Sequence, residues 1–146
     1  MNNQSSEAKI LSELDTLIRA RYTLLAVNTY EEGRLKEVLL ELMTFEKHRE
    51  KPLFYWSRTQ GIVKIIEENS NGVPLKEVKI IPETQDPMSA LEFIAEQKTG
   101  IFLLCDFAPF VVPYGQEDPI LVRLLREIAW KHKITKTTIL FTGPSF

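Results

Sequence analysis

Three apolar runs constrain this chain more than anything else in it. Tyr22–Asn28, Ile101–Asp106 and Thr137–Thr142 lack the apolar–polar alternation of a strand with one wet face. Strands of that kind are buried on both sides, which requires helices above and below a largely parallel sheet. The intervening segments supply those helices. Ile10, Leu11, Leu14, Leu17 and Ile18 recur at helical spacing, and so do Leu35, Val38, Leu39, Leu42 and Met43. Met88, Leu91, Ile94 and Ala95 form a third stripe, and Ile120, Leu121, Leu124, Leu125 and Ile128 a fourth. The last two helices each open on Asp-Pro, at Asp86-Pro87 and Asp118-Pro119. The aspartate side chain can accept from free first-turn amides, and proline fits the first helical position because its missing N–H has no partner there anyway. Thr29 and Glu32 have the spacing of a capping box ahead of the second helix.

The alternation predicts an α/β domain with three αβα layers around a mostly parallel sheet. Leu53–Trp56, just after Pro52, adds a strand. Gly61–Ile66 and Val78–Ile81, separated by the turn chemistry of Asn69-Ser70-Asn71-Gly72, predict a short β-hairpin or strand extension. A chain of 146 residues suits one domain and can bury a core without disulfides. Residues 1–9 read as a frayed polar start and residues 10–146 as the single domain.

Charge removes several classes of function. Eighteen Lys+Arg against 20 Asp+Glu leave a net charge of −2, with no global drive toward nucleic acid or an anionic membrane. One cysteine, Cys105, cannot form an internal disulfide and fits a reducing compartment. No apolar run approaches the ~20 residues of a membrane span, and the polar start has no signal-peptide pattern. A cytoplasmic or stromal setting follows as the expectation.

Ligands of parallel α/β sheets bind beyond the carboxyl ends of the strands, so the segments after Asn28, Trp56, Asp106 and Thr142 matter most. A phosphate-binding loop needs glycines to expose backbone amides and a lysine for the outer phosphates. The first of these segments reads Asn28-Thr29-Tyr30-Glu31-Glu32-Gly33-Arg34, with two carboxylates where phosphate would sit. No glycine in the chain is followed by lysine, and no two glycines stand two apart, so neither a P-loop nor a dinucleotide fingerprint exists. No cofactor is implied.

Other chemistry is thin. Asp106 closes the most apolar strand, where an acid can hold Mg²⁺ through water or instead cap its own loop at Ala108 or Phe110. Cys105 reads as a buried thiol. His48 and His132 sit in the charged tails Lys47-His48-Arg49 and Lys131-His132-Lys133, where cations complement helix C-termini. Two histidines and one cysteine so far apart give no zinc spacing. Glu77-Val78-Lys79 matches the E-x-K of some metal-dependent nucleases without a supporting aspartate, and Lys131, His132, Lys133 and Lys136 read as a solvated helix end. The segment after Asp106 stands out instead. Phe107, Pro109, Phe110, Val111, Val112, Pro113 and Tyr114 either pack under the sheet edge or present a docking surface. Phe107, Pro109, Phe110 and Tyr114 are the candidates for such a surface.

Several segments together resemble one family. They are Leu14–Tyr22, Trp56–Ile62, Gly100–Phe110 and Lys136–Leu140, in that order and spacing. The family is the AAA-type ATPase encoded as a hypothetical reading frame in algal chloroplasts and cyanobacteria, and the resemblance is to its N-terminal domain from Leu11 onward. It implies a degenerate AAA core followed, in the family, by a working ATPase module. It also implies a link to photosynthetic or inorganic-carbon regulation, and a cytoplasmic or plastid-stromal location. The chain departs from the pattern at Ala108, where the family would have histidine. The expected function is a non-catalytic regulatory or interaction domain of an AAA-type ATPase, whose partner is the ATPase module or a second copy of the chain. The alternatives are a degenerate nucleotide-binding domain and a small enzyme using Asp106 with Cys105, Glu31 or Glu32.

Overall fold

The computed structural model describes residues 3–20, 22–28, 32–70, 73–112, 116–131 and 136–143. The elements run α1 (Asn3–Arg19), β1 (Leu24–Asn28), α2 (Glu32–Leu42), β2 (Leu53–Ser57), β3 (Gly61–Ser70) and β4 (Val73–Ile80). They continue with α3 (Pro87–Glu96), β5 (Thr99–Cys105), the single turn α4 (Ala108–Val111), α5 (Pro119–Lys131) and β6 (Lys136–Gly143). One six-stranded sheet has the order β1-β6-β5-β2-β3-β4. The first four strands in that order are mutually parallel, and β3 and β4 extend the sheet antiparallel.

The three apolar runs occupy the parallel part, but only those of β5 and β6 are buried on both faces. β1, expected to be buried on both, is an edge strand. In it Leu25 is buried while Leu24 and Ala26 are exposed, because among the described residues no further strand or helix covers its outer side. Along β5, Ile101, Leu103 and Cys105 point into the core shared with α1 and α2, where they meet Leu14, Ile18, Leu35, Leu39 and Leu42. Phe102 and Leu104 point to the opposite core, made with Leu91 and Ile94 of α3 and Leu121, Leu125 and Ile128 of α5. The period-2 geometry of a strand divides one continuous apolar run between two cores. The result is the three-layer αβα sandwich.

Both Asp-Pro starts behave as their chemistry requires. The Asp86 carboxylate accepts from the Met88 and Ser89 amides at 3.1 and 3.3 Å. Asp118 accepts from those of Ile120 and Leu121 at 3.0 and 3.1 Å. Each cap of this type contributes about 1 kcal/mol. The capping box at Thr29 and the turn at residues 71 and 72 lie outside the described residues.

Three local readings change. Residues 3–9, expected to be frayed, are helical, because α1 begins at Asn3 rather than where the apolar stripe begins. β3 runs on to Ser70, beyond Ile66, and β4 starts at Val73, because a backbone ladder continues through Glu67–Ser70 without apolar side chains. Residues 108–111, read as loop, form α4: Ala108 and Pro109 open the turn, and the Val112 amide donates back to the Ala108 carbonyl.

Candidate functional site: the carboxyl edge of the sheet

The carboxyl ends of β1, β2, β5 and β6 meet along one edge, beside the start of α2. Two hydrogen-bonded groups stand at the β2 end of that edge.

The first is built at the end of β2. Fully buried Trp56 donates its indole N–H to the Thr84 carbonyl at 2.7 Å. The Thr84 hydroxyl accepts from the Ile62 amide at 2.7 Å and donates to the Ile81 carbonyl at 2.8 Å. Gly61 lies beneath it with φ +73°, and a Cβ there would stand 2.7 Å from that hydroxyl oxygen. A tight turn into β3 and a close approach by a side chain both require glycine here.

The second group joins α2 to β2. Lys36 Nζ lies 4.9 Å from the centroid of the Tyr55 ring, and the Tyr55 hydroxyl donates to the Lys36 carbonyl at 3.4 Å. Beside this second group is a cavity of about 50 Å³, lined by Glu32, Lys36, Tyr55, Trp56, Ser57, Gln60, Val63 and Cys105. Small-molecule sites occupy roughly 300–1,000 Å³. A nucleotide does not fit this cavity, and the segments 29–31 and 144–146 that follow β1 and β6 lie outside the described residues. Glu31, one of the two carboxylates at the phosphate position, lies outside the described residues, whereas Glu32 opens α2 and faces the cavity.

Asp106 follows directly. Its backbone is in the left-handed region at φ 54°, which aspartate tolerates better than most residues. Its amide donates to the Thr142 carbonyl at 3.0 Å, continuing the β5–β6 ladder by one bond. The side chain is exposed, and Phe107 stands at the N-cap of α4 with no side-chain cap bond, so Asp106 does not cap the Ala108 turn. The Phe110 amide donates to the Phe107 carbonyl instead.

Cys105 is buried. Loss of solvent, with the negative charge of Glu32 adding to it and Lys36 opposing, pushes its thiol up to about 11. A thiol so protonated is a poor nucleophile. Among the described residues no group of three or more His, Cys, Asp or Glu could hold a metal ion.

The aromatic segment divides. Phe107 is fully buried, with its ring centroid 5.0 Å from that of Trp56, 6.0 Å from Phe141 and 6.4 Å from Phe110. Phe110 also meets Trp56 edge-on at 6.0 Å and packs half-buried against the same core. Phe107 therefore has no surface for a partner, and the packing alternative describes it. Pro109 is exposed and Val112 is 42% exposed. Tyr114 and Pro113 lie outside the described residues.

One site was not foreseen. His48, read as a solvated cation in a helix tail, has 0% exposure. Its Nε2 lies 2.8 Å from Asp15 Oδ1, and Lys51 Nζ lies 3.0 Å from its Nδ1. An ammonium can only donate, so Nδ1 accepts and the ring proton sits on Nε2, directed at Asp15. Asp15 in turn pairs with Arg19 at 3.2 Å. The basic tail Lys47-His48-Arg49 hid this: a periodicity reading cannot tell a folded-back histidine from a solvated one. His132, in the other tail, lies outside the described residues.

The sheet and its helices thus define a class: a doubly wound α/β domain. The chain belongs to the SpoVK-like AAA ATPase N-terminal domain family, whose model matches residues 10–146. It is similar to the uncharacterized AAA domain-containing protein ycf46 of Pyropia yezoensis, at 27% identity over 128 residues, covering 86% of this chain and 22% of that protein. The protein of the same name from Trieres chinensis is 26% identical over 141 residues, covering 94% of this chain and 25% of the relative. The chain spans about a quarter of the length of these curated relatives. No solved structure matches it. Among the described residues no helix is long and apolar enough to cross a membrane.

Proposed function

We propose that this chain is a non-catalytic interaction domain of an AAA-type ATPase, with regulation of that ATPase as its role. The observation that carries the reading is the segment Asn28–Arg34, which has one glycine, no lysine and two carboxylates where a phosphate loop would be, beside a cavity of only about 50 Å³ at the start of α2. A domain with no phosphate loop is left its surfaces for function. The proposed partner is the family's ATPase module, and the face turned to it is the exposed side of α4, with Pro109 and Val112 beside the exposed carboxylate of Asp106. Phe107 and Phe110 hold that face in place from below. The setting within this proposal is photosynthetic or inorganic-carbon regulation, in the cytoplasm or the stroma.

The test is association in trans between this chain and the ATPase module of a family member. Val112→Glu and Pro109→Glu are expected to weaken association at least tenfold while leaving the thermal midpoint near the parent's, since neither side chain is in the core. Unchanged association in both variants, or no association of the parent, contradicts the reading.

A further inference from the structure

The other end of the sheet is open. β4 is its last strand, and the alternation of an antiparallel ladder fixes which of its residues face the free edge. The Ile81 amide donates to the Ile62 carbonyl at 2.9 Å, so Ile81 and every second residue before it bond toward β3. Pro74, Lys76, Val78 and Ile80 then turn their backbone groups outward. Pro74 fits this assignment, because a proline there removes no bond of the β3–β4 ladder.

The same edge is apolar. Val78 is 57% and Ile80 65% exposed, opposite Ile65 and Val63 in register. These four, with Leu40 of α2 and Tyr55, line an open groove of about 630 Å³. An uncovered strand with exposed β-branched side chains is a template for another strand.

We propose that the edge is an interface with a second copy of this chain, formed by antiparallel β4–β4 pairing about a two-fold axis at Val78. Charge selects both the occupant and the register. Outward residues must face outward residues, which leaves few two-fold registers. Centring on Lys76, Glu77 or Lys79 sets that charge opposite itself. Centring on Val78 sets Glu77 opposite the partner's Lys79, and Lys79 opposite the partner's Glu77. It also places Val78 against the partner's Val78, Ile80 opposite the partner's Lys76 in register, and Pro74 opposite the partner's Pro82, where the ladder must stop. Cross-strand opposite charges favour pairing and like charges oppose it. Among the registers centred on Lys76 to Lys79, this one alone sets opposite charges against each other. The proposal deepens the interaction-domain reading and rests on it, and it uses a surface remote from α4.

Sedimentation equilibrium of the chain from ~1 µM to ~1 mM, the range of weak to moderate association, tests it. A monomer–dimer equilibrium is expected. Glu77→Lys and Lys79→Glu each set like charges opposite one another at two symmetric places, and each is expected to weaken the dimer about tenfold or more. The double variant Glu77→Lys/Lys79→Glu restores opposite pairs and is expected to recover parental affinity. Val78→Pro removes an outward amide without touching the β3 ladder and is expected to abolish dimers. A parent monomeric throughout, a double variant no better than the singles, or a Val78→Pro chain that dimerises like the parent overturns the proposal. None of those results bears on α4 or on nucleotide, so failure here is distinct from failure of the interaction-domain reading.

Discussion

His48 and Asp15, 33 residues apart in the chain, are joined by a 2.8 Å hydrogen bond that pins the segment after α2 onto α1. The bond is made by a histidine with no exposure, whose other ring nitrogen accepts from Lys51. Burial, foremost, and the nearby Lys51 charge hold His48 below its usual 6.5, while the Asp15 bond opposes them. Protonation at Nδ1 would set a second cation against the Lys51 ammonium.

This arrangement makes stability depend on pH with a definite sign. The unfolded chain takes up a proton at His48 as pH falls below 6.5, whereas the folded chain resists it until lower pH. The histidine's contribution is therefore intact above pH 6.5 and is lost as pH drops from there toward the lowered folded value. Urea midpoints measured from about pH 7.5 to about pH 5.5 should fall on the acid side. In His48→Gln that part of the slope should flatten. A parent midpoint flat across this range, or an equal slope in His48→Gln, contradicts the assignment.

Gly61 and Thr84 give a second prediction. Gly61→Ala combines a left-handed backbone with a Cβ 2.7 Å from a hydroxyl that its own hydrogen bonds hold in place. A loss of about 1–3 kcal/mol in chemical denaturation is expected. Thr84→Val leaves the Ile62 amide without its acceptor and should cost a similar ~1–3 kcal/mol. Changes below half a kcal/mol in both variants would remove this group from the account of how the β2 end of the edge is held.

The aromatic segment supplies a third. Phe107→Ala empties a fully buried site between Trp56 and Phe141 and should cost about 3–5 kcal/mol. Pro109→Ser, on the exposed side of the same turn, should change the midpoint little. Differential scanning calorimetry of the two variants separates the packed face from the free one. Equal effects would contradict the division.

Much of the fold was legible because its determinants are local. Continuous apolar runs at Ile101–Cys105 and Thr137–Leu140 required two covering layers, and Asp86-Pro87 and Asp118-Pro119 marked helix starts that the capping bonds bear out. The absence of a phosphate loop was likewise readable, since Gly-Lys pairing is a matter of adjacency. What could not be read depends on contacts distant in sequence. Whether Phe107 packs or docks turns on Trp56 and Phe141, and the state of His48 turns on Asp15. Likewise, Val78 and Ile80 look like an ordinary short strand until the sheet order leaves β4 at an edge.

The central claim is that the carboxyl edge of this sheet takes no nucleotide, and thermal unfolding with and without millimolar Mg-ATP tests it most directly. A ligand present at 100 times its Kd would add about 2.7 kcal/mol to stability. In a domain of this size that corresponds to a rise of roughly 5–10 °C. The missing phosphate loop and the cavity of about 50 Å³ beside α2 predict a melting temperature that Mg-ATP leaves unchanged. A rise of about 5 °C or more would mean that the edge opens to nucleotide, and would contradict the account.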